Sequence, residues 1–296
     1  MIWQTTRHLI DLASPKVMGI INVTPDSFSD GGKFFSPETG TQNALAHCDQ
    51  LVKDGADILD IGGESSRPGA QPLPLADELA RVLPVVRHAV TLGVAVSVDT
   101  YKPEVMRAVL DEGADIINDI WALRQPGARQ VIAGHACCGV CLMHMHREPQ
   151  TMQLEPMQGD VVAQVLHFLE QSSVDLRALG VDMNRVVFDP GIGFGKTVQQ
   201  NFALLARQRE LLAPGYPLLA GWSRKSSLVA VASSSPDARA QSDPAGRMVA
   251  SVTAAVLAVE RGARVVRVHD VRETVQALRV WAAAHDPECT PEHAQR

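Results

Sequence analysis

The sequence predicts a single-domain α/β fold, a (β/α)8 or TIM barrel, on three observations. Helix-like stretches end in glycine seven times, each followed directly or within a few residues by a short apolar run. Those runs are nearly continuous in apolar residues rather than alternating, as parallel strands covered on both faces require. Polar side chains collect at the C-terminal ends of the runs, the rim where barrels of this class place their active sites.

The first expected strand spans 17–22 and has no glycine before it. The punctuating glycines are Gly55, Gly93, Gly113, Gly139, Gly180, Gly215 and Gly262, and the strands expected after them span 57–63, 94–99, 115–118, 140–144, 185–189, 217–222 and 263–269. Glycine suits a helix end because the residue closing it commonly takes the left-handed conformation, which a Cβ disfavours. The intervening segments carry helical spacing: in 103–112, Val105, Met106, Val109 and Leu110 share one face and Pro103 fits a first turn. Eight strands alternating with eight helices read as the closed barrel; a doubly wound open sheet has the same alternation and is the competing topology.

Composition agrees with this fold and narrows the function. The 296 residues carry 27 Lys+Arg and 33 Asp+Glu, a net charge of −6, with 46% hydrophobic and 20% charged residues. One α/β barrel of roughly 250 residues accommodates such a chain. An acidic balance without a Lys/Arg block argues against a dedicated nucleic-acid binder. No apolar run approaches the ~20 residues of a membrane span, and residues 1–16 lack the cationic start and apolar core of a secretory signal. A cytoplasmic location is expected, and five scattered cysteines fit reduced thiols. The expected division is an N-terminal lead-in at 1–16, the barrel at 17–284 and a polar tail at 285–296.

The strand ends read Asn22, Asp60 with Glu64, Asp99, Asn118 with Asp119, His144, Asp189, Ser223 with Lys225, and Arg267 with His269. Asp and Asn also cap helices, which accounts for any one of these positions more easily than for the set. The two-residue period of a strand points Arg267 and His269 the same way, a pairing suited to phosphate. Asp99, Asn118 and Asp189 could converge on the donor edge of a nitrogen heterocycle, since carboxylates only accept hydrogen bonds. They could equally hold a hard cation such as Mg²⁺ or Ca²⁺.

Two segments imitate known motifs without matching them. Residues 189–197 (Asp-Pro-Gly-Ile-Gly-Phe-Gly-Lys-Thr) have Pro190 where a phosphate loop needs glycine, and they miss the dinucleotide pattern by one position. They read as a glycine loop that lets backbone approach a ligand. The run 137–146 holds three cysteines and two histidines at spacings that match no zinc pattern. The first loop, 23–36, contains three of the chain's seven Phe among turn formers, which suggests a lid.

Taken together, these segments resemble the dihydropteroate synthase family, pterin-binding enzymes of the bacterial folate pathway. The resemblance is carried by Met18-Gly-Ile-Ile-Asn-Val-Thr-Pro-Asp-Ser-Phe-Ser-Asp-Gly-Gly32, Gly62-Gly-Glu-Ser-Ser-Arg-Pro-Gly69, Ser97-Val-Asp-Thr100, Ile117-Asn-Asp-Ile120, Leu142-Met-His-Met145, residues 189–196, Ser223-Arg-Lys-Ser226 and Arg267-Val-His-Asp270, in the family's order. It implies a barrel that condenses 7,8-dihydropterin-6-ylmethyl diphosphate with 4-aminobenzoate, assisted by Mg²⁺, and that sulfonamides target. By resemblance, Asp99, Asn118, Met143, Asp189, Phe194, Gly221 and Lys225 bind the pterin. Asn22, Arg267 and His269 hold the diphosphate, with Asn22 on the metal. Ser66, Arg67, Pro68, Phe194, Lys225 and Ser226 line the aminobenzoate pocket, and Phe28, Asp30 and Gly31 belong to the lid. The catalytic set is Asp99, Asp189, Lys225, Arg267 and His269. A homodimer through the outer helices is expected.

The chain departs from the family pattern at three places. Ser66 stands where Thr is usual, keeping the hydroxyl and losing a methyl. Trp222 and Trp121 occupy positions where smaller apolar and polar residues, respectively, are common. Residues 233–243 form a polar, insertion-like stretch expected to be mobile. A pterin-dependent methyltransferase domain shares the acidic and Asn contacts but needs neither the first-loop motif nor 223–226. A noncatalytic pterin-binding or sulfonamide-sequestering protein needs no leaving-group and nucleophile pockets.

Overall fold

A computed structural model describes residues 1–24, 37–65, 69–148, 151–152, 154–232 and 244–286. Its centre is a closed barrel of eight parallel strands, which excludes the open sheet. The chain begins with an antiparallel pair, β1 (Ile2–Gln4) and β2 (Leu9–Asp11). The barrel follows as β3 (Lys16–Asn22), β4 (Ile58–Gly62), β5 (Ala95–Asp99), β6 (Ile116–Asp119), β7 (Gly139–Met143), β8 (Val186–Asp189), β9 (Leu218–Ala220) and β10 (Ala263–Val268), and β10 closes on β3. Each strand lies within two residues of its expected bounds.

The described helices are α1 (Pro37–Lys53), α2 (Leu75–Ala89), α3 (Pro103–Asp111), α4 (Ala128–Gly134), α5 (Val161–Ala178), α6 (Val198–Ala206), α7 (Ser226–Ala232), α8 (Pro244–Glu260) and α9 (Val271–His285). The buried face of α3 is the predicted one, with Pro103 in the first turn. Because α9 runs to His285, the helical layer reaches one residue into the expected tail; residues 287–296 lie outside the described residues.

Strand alternation sorts the barrel residues into two environments. Val17, Ile21, Leu59, Ile61, Val96, Val98, Ile117, Val140, Leu142, Val186, Phe188, Val266 and Val268 face the helices and form the main core. The intervening residues point inward. Met18, Ile58, Ala95, Ile116, Cys141, Val187, Leu219 and Val265 make a dry apolar floor. Two residues further along six of these strands stand Asp60, Asn118, Met143, Asp189, Gly221 and Arg267, so the next interior layer turns largely polar. This layer places the site.

The lead-in at 1–16 proves to be a plug. Trp3, Ile10 and Leu12 join the apolar floor from below, and Trp3 Nε1 donates to Arg185 O at 2.9 Å. Asp115, fully buried, accepts from Arg7 N (2.8 Å), Arg7 Nη2 (2.5 Å) and Val96 N (2.9 Å), which pins the hairpin to the barrel. The same contact corrects the reading of Gly139. Six of the seven punctuating glycines have φ between 79° and 97°, as expected of helix ends. Gly139 instead opens β7, and a Cβ there would lie 3.0 Å from Trp3 Nε1 and 3.2 Å from Gln4 O. It is glycine because the plug packs against its backbone, and α4 has already ended at Gly134.

Candidate active site

The polar interior layer is joined across the barrel by its own charges. Arg267, on β10, donates from Nε to Asp60 Oδ2 on β4 (2.6 Å) and from Nη2 to Asp99 Oδ2 on β5 (2.9 Å). Asp60 Oδ2 also accepts from Asn118 Nδ2 on β6 at 3.2 Å. Four strands thus share one hydrogen-bonded set. Burial pushes the Asp99 carboxyl up to about 7, against the pull of Arg267. Burial opposes the charge of Arg267, but Asp60 and Asp99 outweigh it and raise its pKa.

The opposite wall is built by the glycine loop after β8. Asp189 Oδ1 accepts from Gly191 N at 2.7 Å, and burial raises the Asp189 pKa. Gly191, at φ 67°, passes so close to the end of β7 that a Cβ would sit 1.8 Å from His144 O, so no other residue fits. The loop ends in a capping box in which Thr197 Oγ1 accepts from Gln200 N and Gln200 Oε1 from Thr197 N, which starts α6. Between these anchors Phe194 presents its ring to Lys225, whose Nζ lies 4.2 Å from the centroid. Burial lowers the Lys225 pKa to about 8, with Asp189 opposing the shift.

One cleft is lined by Ile20, Asp99, Asn118, Ile120, Met143, Asp189, Ile192, Phe194, Gly221, Ser223, Lys225 and Arg267. All seven residues expected to hold the heterocycle line it, together with Arg267. His269 stands beside it, its Nδ1 2.9 Å from Ser223 Oγ, which also accepts from His269 N at 3.1 Å. Asn22, half-buried at the end of β3, shares a register level with Gly62, and Gly62 with Asp99. Ser226 begins α7 next to Lys225 and is exposed. Ser66, Arg67 and Pro68, the lid residues Phe28, Asp30 and Gly31, and the stretch 233–243 lie outside the described residues.

Other expectations resolve differently. Asp119 caps a turn rather than a helix: its carboxylate accepts from Trp121 N (2.7 Å) and Leu123 N (2.8 Å), and α4 starts only at Ala128. Glu64 turns away from the cleft toward Tyr101 and Lys102. Trp222 fills core space against Phe202, their ring centroids 5.3 Å apart. Trp121 packs on Tyr101 and under Arg124, lining a second cleft that shares Asp99 and Ile120 with the first. In the 137–146 run, Cys141 lies in the apolar floor and His144 meets Lys196. Among the described residues no group of three His, Cys, Asp or Glu could hold a metal.

Two residues of this region carried no assigned role in the sequence reading. Asp60 was visible as a strand-end carboxylate, but its partners lie 58 and 207 positions away. Lys196 read as part of a glycine loop, and only the fold buries it, at 3% exposure.

Comparison with known proteins gives the site a context. The family model described as pterin binding enzyme matches residues 18–269. The dihydropteroate synthase of Neisseria meningitidis serogroup C is 46% identical over 284 residues, covering 95% of this chain and 97% of its own. The structure of Burkholderia cenocepacia dihydropteroate synthase complexed with 7,8-dihydropteroate superposes with a TM-score of 0.85 at 48% identity, covering 97% of each chain. That of the Yersinia pestis enzyme with a sulfonamide drug complex gives 0.86 at 40% identity, covering 96% of this chain and 99% of that one.

Proposed function

The chain belongs to the dihydropteroate synthases of the pterin-binding enzyme family, and from that membership we propose that it condenses 7,8-dihydropterin-6-ylmethyl diphosphate with 4-aminobenzoate, releasing diphosphate. The observation that carries the chemistry is the set of carboxylates of Asp99 and Asp189 and cations of Arg267 and Lys225 around one cleft, with Asp60 buried behind Arg267.

The pterin ring presents N–H donors, which Asp99, Asp189 and the Asn118 amide accept, while Met143, Phe194 and the bare backbone of Gly221 cover its faces. Loss of diphosphate leaves a methylene cation conjugated with the ring. Carboxylates on the pterin side stabilise that charge, and donors from Arg267 and His269 stabilise the departing oxygens. Arg267 is suited to this because Asp60 already holds its Nε, which orients the guanidinium before substrate arrives. The aminobenzoate nitrogen is a weak nucleophile, so ionisation precedes attack. Lys225, Phe194 and Ser226, with Ser66, Arg67 and Pro68, form the aminobenzoate pocket, and the loop bearing Phe28, Asp30 and Gly31 keeps water from the cation.

Mg²⁺ fits this donor set on one condition. A neutral amide oxygen from Asn22, with no group of three metal-binding side chains among the described residues, suits an ion that takes its remaining ligands from diphosphate and water, which is how Mg²⁺ usually binds. Asn22 would hold it, and its chemistry is to neutralise charge on the leaving oxygens. The protein works in the cytoplasm as a homodimer, and sulfonamides compete with aminobenzoate.

The test is a coupled assay of purified protein with both substrates, with and without chelator. Dihydropteroate formation that requires both substrates and stops with chelator supports the proposal. Binding of pterin diphosphate without product contradicts it.

A further inference from the structure

Lys196 takes no part in the chemistry above, yet it is the most heavily engaged lysine near the cleft. Its Nζ meets Gly191 O at 2.8 Å, His144 Nδ1 at 2.9 Å, Phe194 O at 3.1 Å and His144 O at 3.3 Å. Burial takes the His144 pKa down to about 2, so its ring is neutral and Nδ1 can accept. All four atoms, from three residues, are then acceptors, and the three N–H groups of an ammonium reach them with one hydrogen shared between two; burial lowers the lysine's pKa to about 7, with Asp189 opposing.

The surroundings show what this clamp fastens. Gly191 crosses His144 O, and a Cβ at Gly195 would lie 2.6 Å from His146 Cβ, so the glycine loop rests directly on residues 144–146. On its far side the same loop supplies Ile192 and Phe194 to the cleft. Lys196 sits behind that wall and does not line the cleft. We propose that Lys196 is a positioning residue for pterin binding: it ties the glycine loop to the end of β7 and so holds the Phe194 ring in place beside Lys225 and against the pterin. This rests on the reading of the cleft as the pterin site.

The test uses the full chain and calorimetric binding of 6-hydroxymethylpterin, which lacks the leaving group and needs no second substrate. Lys196→Met is expected to raise its Kd at least about tenfold. Combined with Phe194→Ala, it is expected to add less than about twofold to the loss from Phe194→Ala alone, because the lysine acts through that ring. In turnover, the loss is expected in KM for the pterin diphosphate, with kcat within about threefold of wild type. If Lys196→Met does not fold, His144→Phe removes one acceptor while keeping a ring against Phe168, and at least a threefold rise in Kd is expected. A wild-type Kd in a folded variant, or losses that multiply in the double variant, overturns the proposal. Wild-type turnover tests the synthase reading separately.

Discussion

Among the described residues, Arg267 and Lys225 are the two cations that line the cleft, and they face different demands. Arg267 is fixed by two carboxylates and keeps its charge at any working pH, whereas Lys225 is held near the ring of Phe194 and titrates at about 8. Replacing either with alanine is expected to lower kcat/KM at least tenfold, about 1.4 kcal/mol of transition-state stabilisation, as steady-state kinetics would show. Asp99 and Lys225 set the two limbs of the pH profile, with Asp189, whose carboxyl burial also raises, adding to the acid limb. Asp99 must be ionised to accept from the pterin, so kcat/KM falls as pH drops through about 7. Lys225 must be protonated to donate, so it falls again as pH rises through about 8. Lys225→Arg is expected to remove the loss centred at about 8 and leave the acid limb, together with the alkaline loss of pterin affinity from Lys196, which burial brings down to about 7. Sequence made Asp99, Asn118, Asp189 and Arg267 legible because each stands at or one residue before the end of a strand, with inward parity. It left Asp60 and Lys196 without roles because Asp60 is bonded from β6 and β10, and because Lys196, although two of its acceptors lie in its own loop, is buried only where that loop folds onto His144.

At the scale of elements, alternation explains why the same strands supply both floor and site. One inward residue of a strand joins the apolar layer and the next reaches the rim, as in Ile58 then Asp60, or Val265 then Arg267. The strands were readable from apolar runs bounded by glycine. The hairpin at 1–16 was not, since β1 and β2 are three residues each and their pattern is shorter than any periodicity window. Its plug closes the floor with Trp3, which is fully buried. Trp3→Ala is expected to cost about 3–5 kcal/mol of stability, read as a fall in the denaturant midpoint, while KM for both substrates stays near wild type because the plug lies at the opposite end of the barrel.

For the whole molecule, the apolar residues left outside are informative. Val231, Val249, Leu257 and Val280 are exposed on α7, α8 and α9, helices that pack side by side. Exposed aliphatics gathered on neighbouring helices fit an interface between copies of the chain. Sedimentation equilibrium is expected to give twice the 31.9 kDa of one chain, and the pair Val249→Lys with Val280→Lys to shift it toward one. A wild-type mass of a single chain removes this interface. Fold and strand-end polarity were readable in the sequence because both repeat eight times.

The claim on which all scales depend is that the polar interior layer grips the pterin. A crystal structure of this protein with 7,8-dihydropteroate tests it most directly. The account predicts the pterin ring between Met143 and Phe194, with its N–H groups in hydrogen-bond contact with Asp99, Asp189 and Asn118. A pterin seated instead in the second cleft beside Tyr101 and Trp121, with Asp189 and Asn118 untouched, would contradict it.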